Sequence, residues 1–308
     1  MKDFCILITT YNRKSELKFT LNSLQTFIKN GISVMICDDA STDGTSEFIR
    51  SEYPGIQLVV NSENKGLIFS RNLLMSQVQT PYAICLDDDA NFLSLEPLGN
   101  ILRHFEGEPK CGVIAFRIYW GISKPKITHA KENPEIVKSF VGCGHAWRMK
   151  AWNEIPAYPE WYRFYGEENY ASMHLLKKQW EVHYLPGVLV HHRVDNTARK
   201  QNGDYYCRAR RSLRADWYNF AIFYPKIKAV RTFLYSIKMQ ILKAIKNRGI
   251  IYLKNTGLAV LDILSNLRRL KNSRSVFSDA DYQQWLKLPD AKIYWKPDSS
   301  LIQNDKQL

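Results

Sequence analysis

Four short apolar runs recur along the first hundred residues, each followed by a polar cluster. They are Phe4-Cys5-Ile6-Leu7-Ile8, Ser33-Val34-Met35-Ile36-Cys37, Gln57-Leu58-Val59-Val60 and Tyr82-Ala83-Ile84-Cys85-Leu86. Runs without apolar–polar alternation bury both faces, as strands of a parallel sheet do. Between them, Leu17, Leu21, Leu24 and Ile28 mark a helix over 14–28. Residues 46–50 fit a short helix, and Leu67 to Val78 a second long one. Strands alternating with helices predict an α/β domain with a mainly parallel sheet flanked by helices. Such sheets bind ligands beyond the carboxyl ends of their strands. Those ends carry Thr9-Thr10-Tyr11-Asn12-Arg13, Asp38-Asp39-Ala40-Ser41, Asn61 to Gly66, and Asp87-Asp88-Asp89.

The three adjacent acids have the clearest chemical meaning. Carboxylates set this close repel one another unless a cation or hydrogen-bond donors compensate them. Hard oxygen ligands suit Mg²⁺ or Mn²⁺, and such ions sit between protein carboxylates and substrate phosphates. A metal–diphosphate site is expected here. The alternative is a solvated acidic turn capping the next helix, a reading that suits two acids better than three directly after a buried strand.

At 308 residues, with 45% apolar and 13% aromatic residues, the chain can form one large domain plus an appendage. The six cysteines show no CxxC pair, and Cys5, Cys37 and Cys85 fall inside predicted strands. They read as small buried hydrophobes in a reducing compartment. Met1-Lys2-Asp3 leads straight into a strand, so no signal peptide is expected. No stretch of about 18 apolar residues suggests a transmembrane helix. The charge is uneven: residues 199–274 hold 18 Lys/Arg and 3 Asp, a formal +15, so the rest of the chain totals −2 of the overall +13. An anionic partner is therefore expected for the C-terminal segment alone.

Four motifs stand in register: Thr9 to Arg13, Asp38-Asp39-Ala40-Ser41-Thr42-Asp43-Gly44-Thr45, Asn64-Lys65-Gly66 with Ser70-Arg71-Asn72, and Asp87-Asp88-Asp89. In order and spacing they resemble the family 2 glycosyltransferases. The segment from Gly166-Glu167-Glu168 through Pro186 to His192 is similar to that family's acid-pair helix and following strand. The resemblance spans roughly residues 3–195. It implies a GT-A fold, a nucleotide-sugar donor, a divalent cation and inversion at the anomeric carbon. It places Glu168 at the catalytic-base position and His192 at the histidine that completes the metal site, with His191 where an aromatic is common. Which of these two histidines is the ligand stays open in the sequence. Tyr170, His174 and Gln179 stand where the family more often has Asp, Arg and Gly, so acceptor and phosphate contacts are not carried over there.

The expected roles follow. Asp89, with Asp87 and His192, would hold Mn²⁺ or Mg²⁺ against the leaving diphosphate. Thr9, Tyr11, Arg13, Asp39, Gly66, Arg71, Asp87 and Asp88 would line the donor nucleotide, with Asp39 accepting from a base imide and Arg71 forking onto phosphate. Asp43-Gly44 reads as a turn. Glu168 would take the acceptor proton, its pKa raised by the aromatic stretch 161–165. Glu167 reads as a helix N-terminal acid. His104 and His129 read as surface residues, His145 as a marginal acceptor-side candidate, and Trp147 and Trp152 as core.

The expected division is a catalytic domain over 1–198 (nucleotide-binding half 1–100, acceptor-side half 101–198) and a basic helical region over 199–308. Within the latter, Ile227, Val230, Leu234, Ile237, Ile241 and Ile245 form one stripe edged by Lys228, Arg231, Lys238, Lys243 and Lys246. Two readings stand: a helix lying on an anionic membrane surface, or one packed on the catalytic domain. Nucleic acid is not expected, because no nucleic-acid module accompanies the charge. The sequence thus points to a cytoplasmic glycosyltransferase at the inner face of the cell membrane, moving sugar from a UDP- or dTDP-sugar to a saccharide acceptor, lipid-linked, in surface-polysaccharide synthesis. A sugar-nucleotide nucleotidyltransferase is the alternative enzyme class, although its glycine-rich phosphate loop is missing from Thr9 to Arg13. A non-catalytic membrane scaffold is the third reading.

Overall fold

The computed structural model describes residues 2–195, 204–246 and 249–292. In chain order its elements are β1 (Phe4–Thr10), α1 (Lys14–Ser23), α2 (Gln25–Lys29), β2 (Ser33–Asp38), α3 (Thr45–Glu52), β3 (Gln57–Val60), α4 (Leu67–Met75), β4 (Tyr82–Asp87), β5 (Ala90–Phe92) and α5 (Pro97–Gly107). Then follow β6 (Cys111–Trp120), β7 (Glu135–Val137), β8 (Gly144–Arg148), α6 (Met149–Asn153), a 3₁₀ turn (Glu160–Tyr162), α7 (Glu167–Lys177) and β9 (Glu181–His192). The C-terminal part holds α8 (Asp204–Phe223), α9 (Lys226–Lys246), α10 (Ile250–Ser265), α11 (Leu267–Asn272) and α12 (Asp279–Lys287). The expected boundary at 198/199, and Arg199, Lys200 and Arg248 of the basic segment, lie outside the described residues.

The strands make one sheet in the order β3-β2-β1-β4-β8-β6-β9-β5, with β7 also on β9. The first four strands pair in parallel, as their unbroken apolar runs require. Alternate residues go to opposite faces, and both faces are covered. Cys5, Leu7, Met35, Cys37, Ala83 and Cys85 enter one apolar cluster. Phe4, Ile6, Ile8, Val34, Ile36, Ile84 and Leu86 enter the other. The three strand cysteines are thus buried and free.

Beyond β4 the sheet changes character. β8 pairs antiparallel with both β4 and β6, whereas β6 and β9 are parallel. Their register slips between Phe116 and Arg117, where the partner jumps from Leu185 to Leu189 across Pro186-Gly187. A bulge of this kind bends the strand that carries the extra residues. The near half of β9 pairs with β7, and its far end with β5, setting Ala90 opposite His192. This pairing folds the chain just after the acid triplet back onto the end of β9.

The C-terminal helices are stapled to the sheet-bearing part of the chain. Ala215, Tyr218, Ile222 and Phe223 of α8 share one apolar cluster with Tyr162 and Tyr170, and Phe277, Tyr282 and Trp285 join it. Asn219, 1% exposed, accepts from the Tyr162 hydroxyl at 2.9 Å and donates to the Gly166 carbonyl at 3.0 Å. Gly166 caps α7 with φ +85°, and a Cβ there would come 2.6 Å from Ala215 Cβ. Gly166→Ala therefore combines a left-handed backbone penalty with overpacking. It should lower the unfolding free energy by about 2–4 kcal/mol in urea titration. A loss below about 1 kcal/mol would show that α8 is not seated tightly there.

Candidate active site

The carboxyl ends of β1, β2 and β4, the end of β9 and the start of α8 open onto one cavity of about 1100 Å³. Asp87, Asp89 and His192 bring a carboxylate oxygen, a second carboxylate oxygen and an imidazole nitrogen within 4.8 Å of one another. Asp89 is 1% exposed. Its Oδ1 lies 2.9 Å from His192 Nε2, and its Oδ2 2.7 Å from Arg13 Nη2. Burial opposes ionisation of Asp89, yet His192 and then Arg13 hold its carboxyl well below the usual range. Asp88 is also buried. It accepts from the Thr10 hydroxyl at 2.9 Å and lies 3.3 Å from Arg13 Nη1. Burial pushes its carboxyl up to about 7 against the pull of Arg13.

The residues fit a hard divalent cation. Asp89 Oδ1 and His192 Nε2 are buried and face each other across 2.9 Å with no other hydrogen-bond partner, and His192 Nδ1 is buried beside them. Buried polar atoms with unused bonding capacity are costly, and these belong to side chains that already converge. His191 is not part of the group: its Nε2 lies 2.7 Å from the Gly121 carbonyl oxygen. Successive strand residues face opposite ways, so only one of the two histidines can meet the acids.

The donor-side loops are held by their own polar contacts. Asp39 Oδ1 accepts from Asn61 Nδ2 at 2.7 Å and from the Lys65 amide at 2.9 Å, while its Oδ2 accepts from the Gly66 amide at 2.8 Å. A carboxylate offers about four acceptor positions, so Asp39 fixes the 61–66 loop and keeps capacity for one more donor. Gly66 adopts φ +95° at the start of α4, a conformation that favours glycine. Asn12, at φ 51°, accepts from the Thr42 amide at 2.7 Å, and its own amide donates to Ser41. Thr9, Tyr11, Arg13, Asp39, Gly66, Asp87 and Asp88 all line the cavity. Tyr11 is 45% exposed.

Arg71 is placed differently from the phosphate contact expected of it. It is 3% exposed and spans Asp87 Oδ1 at 3.1 Å, the Gly142 carbonyl at 3.2 Å and Glu167 Oε1 at 3.7 Å. Its charge is spent inside the protein, linking the acid triplet to the acid pair of α7. Glu167 is 2% exposed with Oε2 unpartnered. Glu168 is half-buried and packs on Gly142, where a Cβ would come 2.5 Å from its Oε1. Burial raises both glutamate carboxyls, and Arg71 opposes the rise in each.

Other histidines are corrected by the structure. His104 is not an unpartnered surface residue: its Nε2 lies 3.0 Å from His183 Nδ1, and His183 Nε2 is 2.9 Å from Glu181. The two residues are 79 positions apart, a pairing no local pattern announces. His145 is fully buried on β8, its Nδ1 3.2 Å from the Val141 carbonyl oxygen, and is no site residue. Trp147 and Trp152 are core. The residues missed in sequence are Arg208, Arg210, Arg211 and Arg214 of α8, which line the cavity. Their i, i+3 and i+4 spacing was visible, but not what that helix faces.

Residues 5–171 match the family model described as Glycosyl transferase family 2, and the chain belongs to that family. Among curated relatives, abequosyltransferase RfbV of Salmonella typhimurium is 36% identical over 99 residues, 32% of this chain and 24% of that one. Teichoic acid poly(glycerol phosphate) polymerase of Staphylococcus epidermidis is 29% identical over 98 residues, 30% of this chain and 14% of that one. The chain thus aligns with less than a quarter of the length of either relative. Mannosyltransferase PcManGT from Pyrobaculum calidifontis, solved with GDP-Man and Mn²⁺, superposes with a TM-score of 0.55 over 92% of this chain and 78% of that one. At 14% identity this shows a shared fold.

The ligand geometry predicts that the purified protein binds Mn²⁺ and that Asp89→Asn removes this binding. The loss should exceed the about 10–100-fold that changes around a metal's ligands cost. Quenching of the free Mn²⁺ paramagnetic resonance signal reads it directly. Equal binding by wild type and variant would show that the acids hold no ion.

Proposed function

We propose that this protein is an inverting, metal-dependent glycosyltransferase. It moves a sugar from a UDP- or dTDP-sugar to a hydroxyl of a saccharide acceptor, lipid-linked, in cell-surface polysaccharide synthesis. The observation that carries the reading is the convergence of Asp87, Asp89 and His192 beside a cavity at the carboxyl edge of the sheet, in a chain of this family. Asp87, Asp89 and His192 would hold Mn²⁺ or Mg²⁺, and the imidazole tilts the set toward Mn²⁺. When bound, the ion neutralises charge that builds on the leaving diphosphate. The loops of Thr9, Tyr11 and Asp39 receive the nucleoside, and the spare acceptor capacity of Asp39 suits an imide N–H. Arg13 holds Asp88 and Asp89 in place, and Arg71 does so for Asp87. Nothing around Thr9 to Arg13 favours a nucleotidyltransferase, since that loop is pinned by Asn12 rather than opened by glycines.

Glu168 is the proposed base. It receives the proton of the acceptor hydroxyl as that oxygen attacks the anomeric carbon and the diphosphate departs. Its raised carboxyl, caused by burial, improves the match to a working pH near neutrality. The base must be ionised, so activity is lost as pH falls through its pKa. The acid limb of kcat/KM should therefore lie above the about 4.3 of a free glutamate. Glu168→Gln should lower kcat by about 10²–10⁴-fold with donor affinity near wild type. Loss of donor affinity with kcat intact would assign Glu168 to donor binding instead.

An anionic membrane surface at the inner face of the cell membrane is the proposed location. Among the described residues, no helix is long and apolar enough to cross a membrane. Yet Ile227, Val230, Leu234, Ile241 and Ile245 on α9 are 43–69% exposed, and Ile250, Leu261 and Leu264 on α10 are 55–82% exposed. This supports a surface that meets lipid for α9, while α8 and α12 take the packing role. Sedimentation with vesicles containing anionic lipid should pull the protein down, and neutral vesicles far less. Each basic side chain near the surface contributes about 1 kcal/mol, screened over about 10 Å at 0.1 M salt. Replacing Lys238, Lys243 and Lys246 should weaken binding, and the apolar stripe should leave a salt-resistant remainder. No binding at low salt would overturn the membrane assignment and leave the transferase reading intact.

A further inference from the structure

A second group of metal-type side chains lies at the other end of the sheet. His104, on the last turn of α5, Cys111, at the start of β6, and His183, near the start of β9, each bring one ligand atom within 4.8 Å of the others. Cys111 is fully buried and His183 is 5% exposed, while His104 is half-buried. β6 and β9 run parallel, so they carry Cys111 and His183 to the same end of the sheet. His192 of the catalytic corner lies at the far end of β9. At about 3.3 Å per residue the strand between the two histidines spans up to about 30 Å, so the two groups are separate.

Hydrogen bonds already orient the two imidazoles. Glu181 Oε2 lies 2.9 Å from His183 Nε2. An ionised carboxylate only accepts, so that nitrogen carries the ring proton. His183 Nδ1 then presents its lone pair, 3.0 Å from His104 Nε2. A histidine whose far nitrogen donates to a carboxylate is the arrangement that stands behind metal-bound imidazoles, where the carboxylate sets the tautomer and raises the basicity of the ligand. In tetrahedral zinc, Zn–N of about 2.0–2.1 Å and Zn–S of about 2.3 Å space two nitrogens by about 3.3 Å and nitrogen from sulfur by about 3.6 Å. The imidazoles need part by only about 0.3 Å, and the sulfur need close by at most about 1.2 Å. His104 also lines a cavity of about 480 Å³ with Asn100, Arg103, Glu132 and Leu185, which gives an ion and a water a way in.

We propose that His104, Cys111 and His183 form a zinc site, with water in the fourth position, that fastens the end of α5 to the sheet. Thiolate and imidazole together favour a borderline-soft ion over Mg²⁺ or Mn²⁺. On binding, the Cys111 S–H bond breaks, its proton passes to solvent, and a sulfur lone pair bonds to zinc. His104 exchanges its proton from Nε2 to Nδ1 through solvent, and His183 keeps its own on Nε2 toward Glu181. No ligand is shared with Asp87, Asp89 and His192, so the site stands independently of the transferase reading.

The test uses the full chain, stripped of metal by chelator, with Co²⁺ as the probe. Thiolate-bound Co²⁺ shows a charge-transfer band in the near ultraviolet, whereas d¹⁰ zinc is silent. Wild type should gain this band, and added Zn²⁺ should abolish it. Cys111→Ser should lack it. Glu181→Gln, which leaves all three ligands in place, should weaken Co²⁺ binding by about 10–100-fold while its circular dichroism matches wild type. This variant also serves should Cys111→Ser not fold. Asp89→Asn should keep the band. Zn²⁺ at about a hundredfold above its Kd should raise the Tm of wild type by about 4 °C or more, and that of Cys111→Ser by less. A band absent from wild type, or equal in wild type and Cys111→Ser, overturns the proposal and leaves a hydrogen-bonded histidine pair beside an inert thiol. A band lost in Asp89→Asn and kept in Cys111→Ser also overturns it. That result would trace the sulfur to Cys143, whose carbonyl accepts from the Asp87 amide at 3.2 Å.

Discussion

The corner where β4 ends is governed by like-charge repulsion. Asp87, Asp88 and Asp89 are consecutive, and Glu167 is drawn to the same place through Arg71. Two unit charges about 4 Å apart in a medium of effective dielectric near 20 interact by about 4 kcal/mol, so several unanswered contacts of this kind would exceed the stability of a typical domain. The chain answers with side chains from three other elements. Arg13, on the loop after β1, spans Asp88 and Asp89, and Arg71, on α4, spans Asp87 and Glu167. His192 comes from the end of β9. Each depends on a different strand pairing, so the sheet order and the site's charge balance are one constraint.

That balance is left incomplete at one point. Arg13 and Arg71 each meet oxygens on two acids, yet Asp89 Oδ1 and His192 Nε2 have only each other, at 2.9 Å. A corner optimised for stability alone would have closed these contacts. The cost is tolerable because β5 pairs with the last residues of β9 and fixes Asp89 and His192 through the backbone, including the 2.9 Å bond from the Arg193 amide to the Asp89 carbonyl. Main-chain pairing thus adds to the 2.9 Å contact between Asp89 and His192 in holding these atoms in position.

Much of this was legible in sequence where the relevant spacing is local. Period-two burial of both faces made β1, β2 and β4 readable, and acids directly after a strand end are fixed in place by that strand. His192 was legible only through the family resemblance, since its approach to Asp89 needs the β5–β9 pairing, and β5 is three residues long. The ion pairs of Arg71 were not legible, because its burial is made by Gly142 and Glu167, far along the chain. The His104–His183 contact was invisible for the same reason. The basic character of 199–274 was plain, but charge counting treats a helix as one object. It does not separate the arginines of α8, which turn toward the cavity, from the lysines of α9, which edge an exposed apolar stripe.

These two cationic surfaces are mechanically joined. Trp217 of α8, 1% exposed, stacks near Phe233 of α9 with centroids 4.5 Å apart and donates to Ser236 at 2.9 Å. Arg210 ties α8 to Asp262 of α10, and Ala259 of α10 packs in the same small cluster as Leu213 and Trp217. These contacts join the three helices at Trp217, Arg210 and Ala259. The other side of α8 is locked at Gly166, where no Cβ would fit against Ala215. A surface that captures α9 and α10 therefore also fixes the arginines that border the cavity. A surface that bound α9 and α10 would act on the site only to the extent that it distinguished two placements of α8.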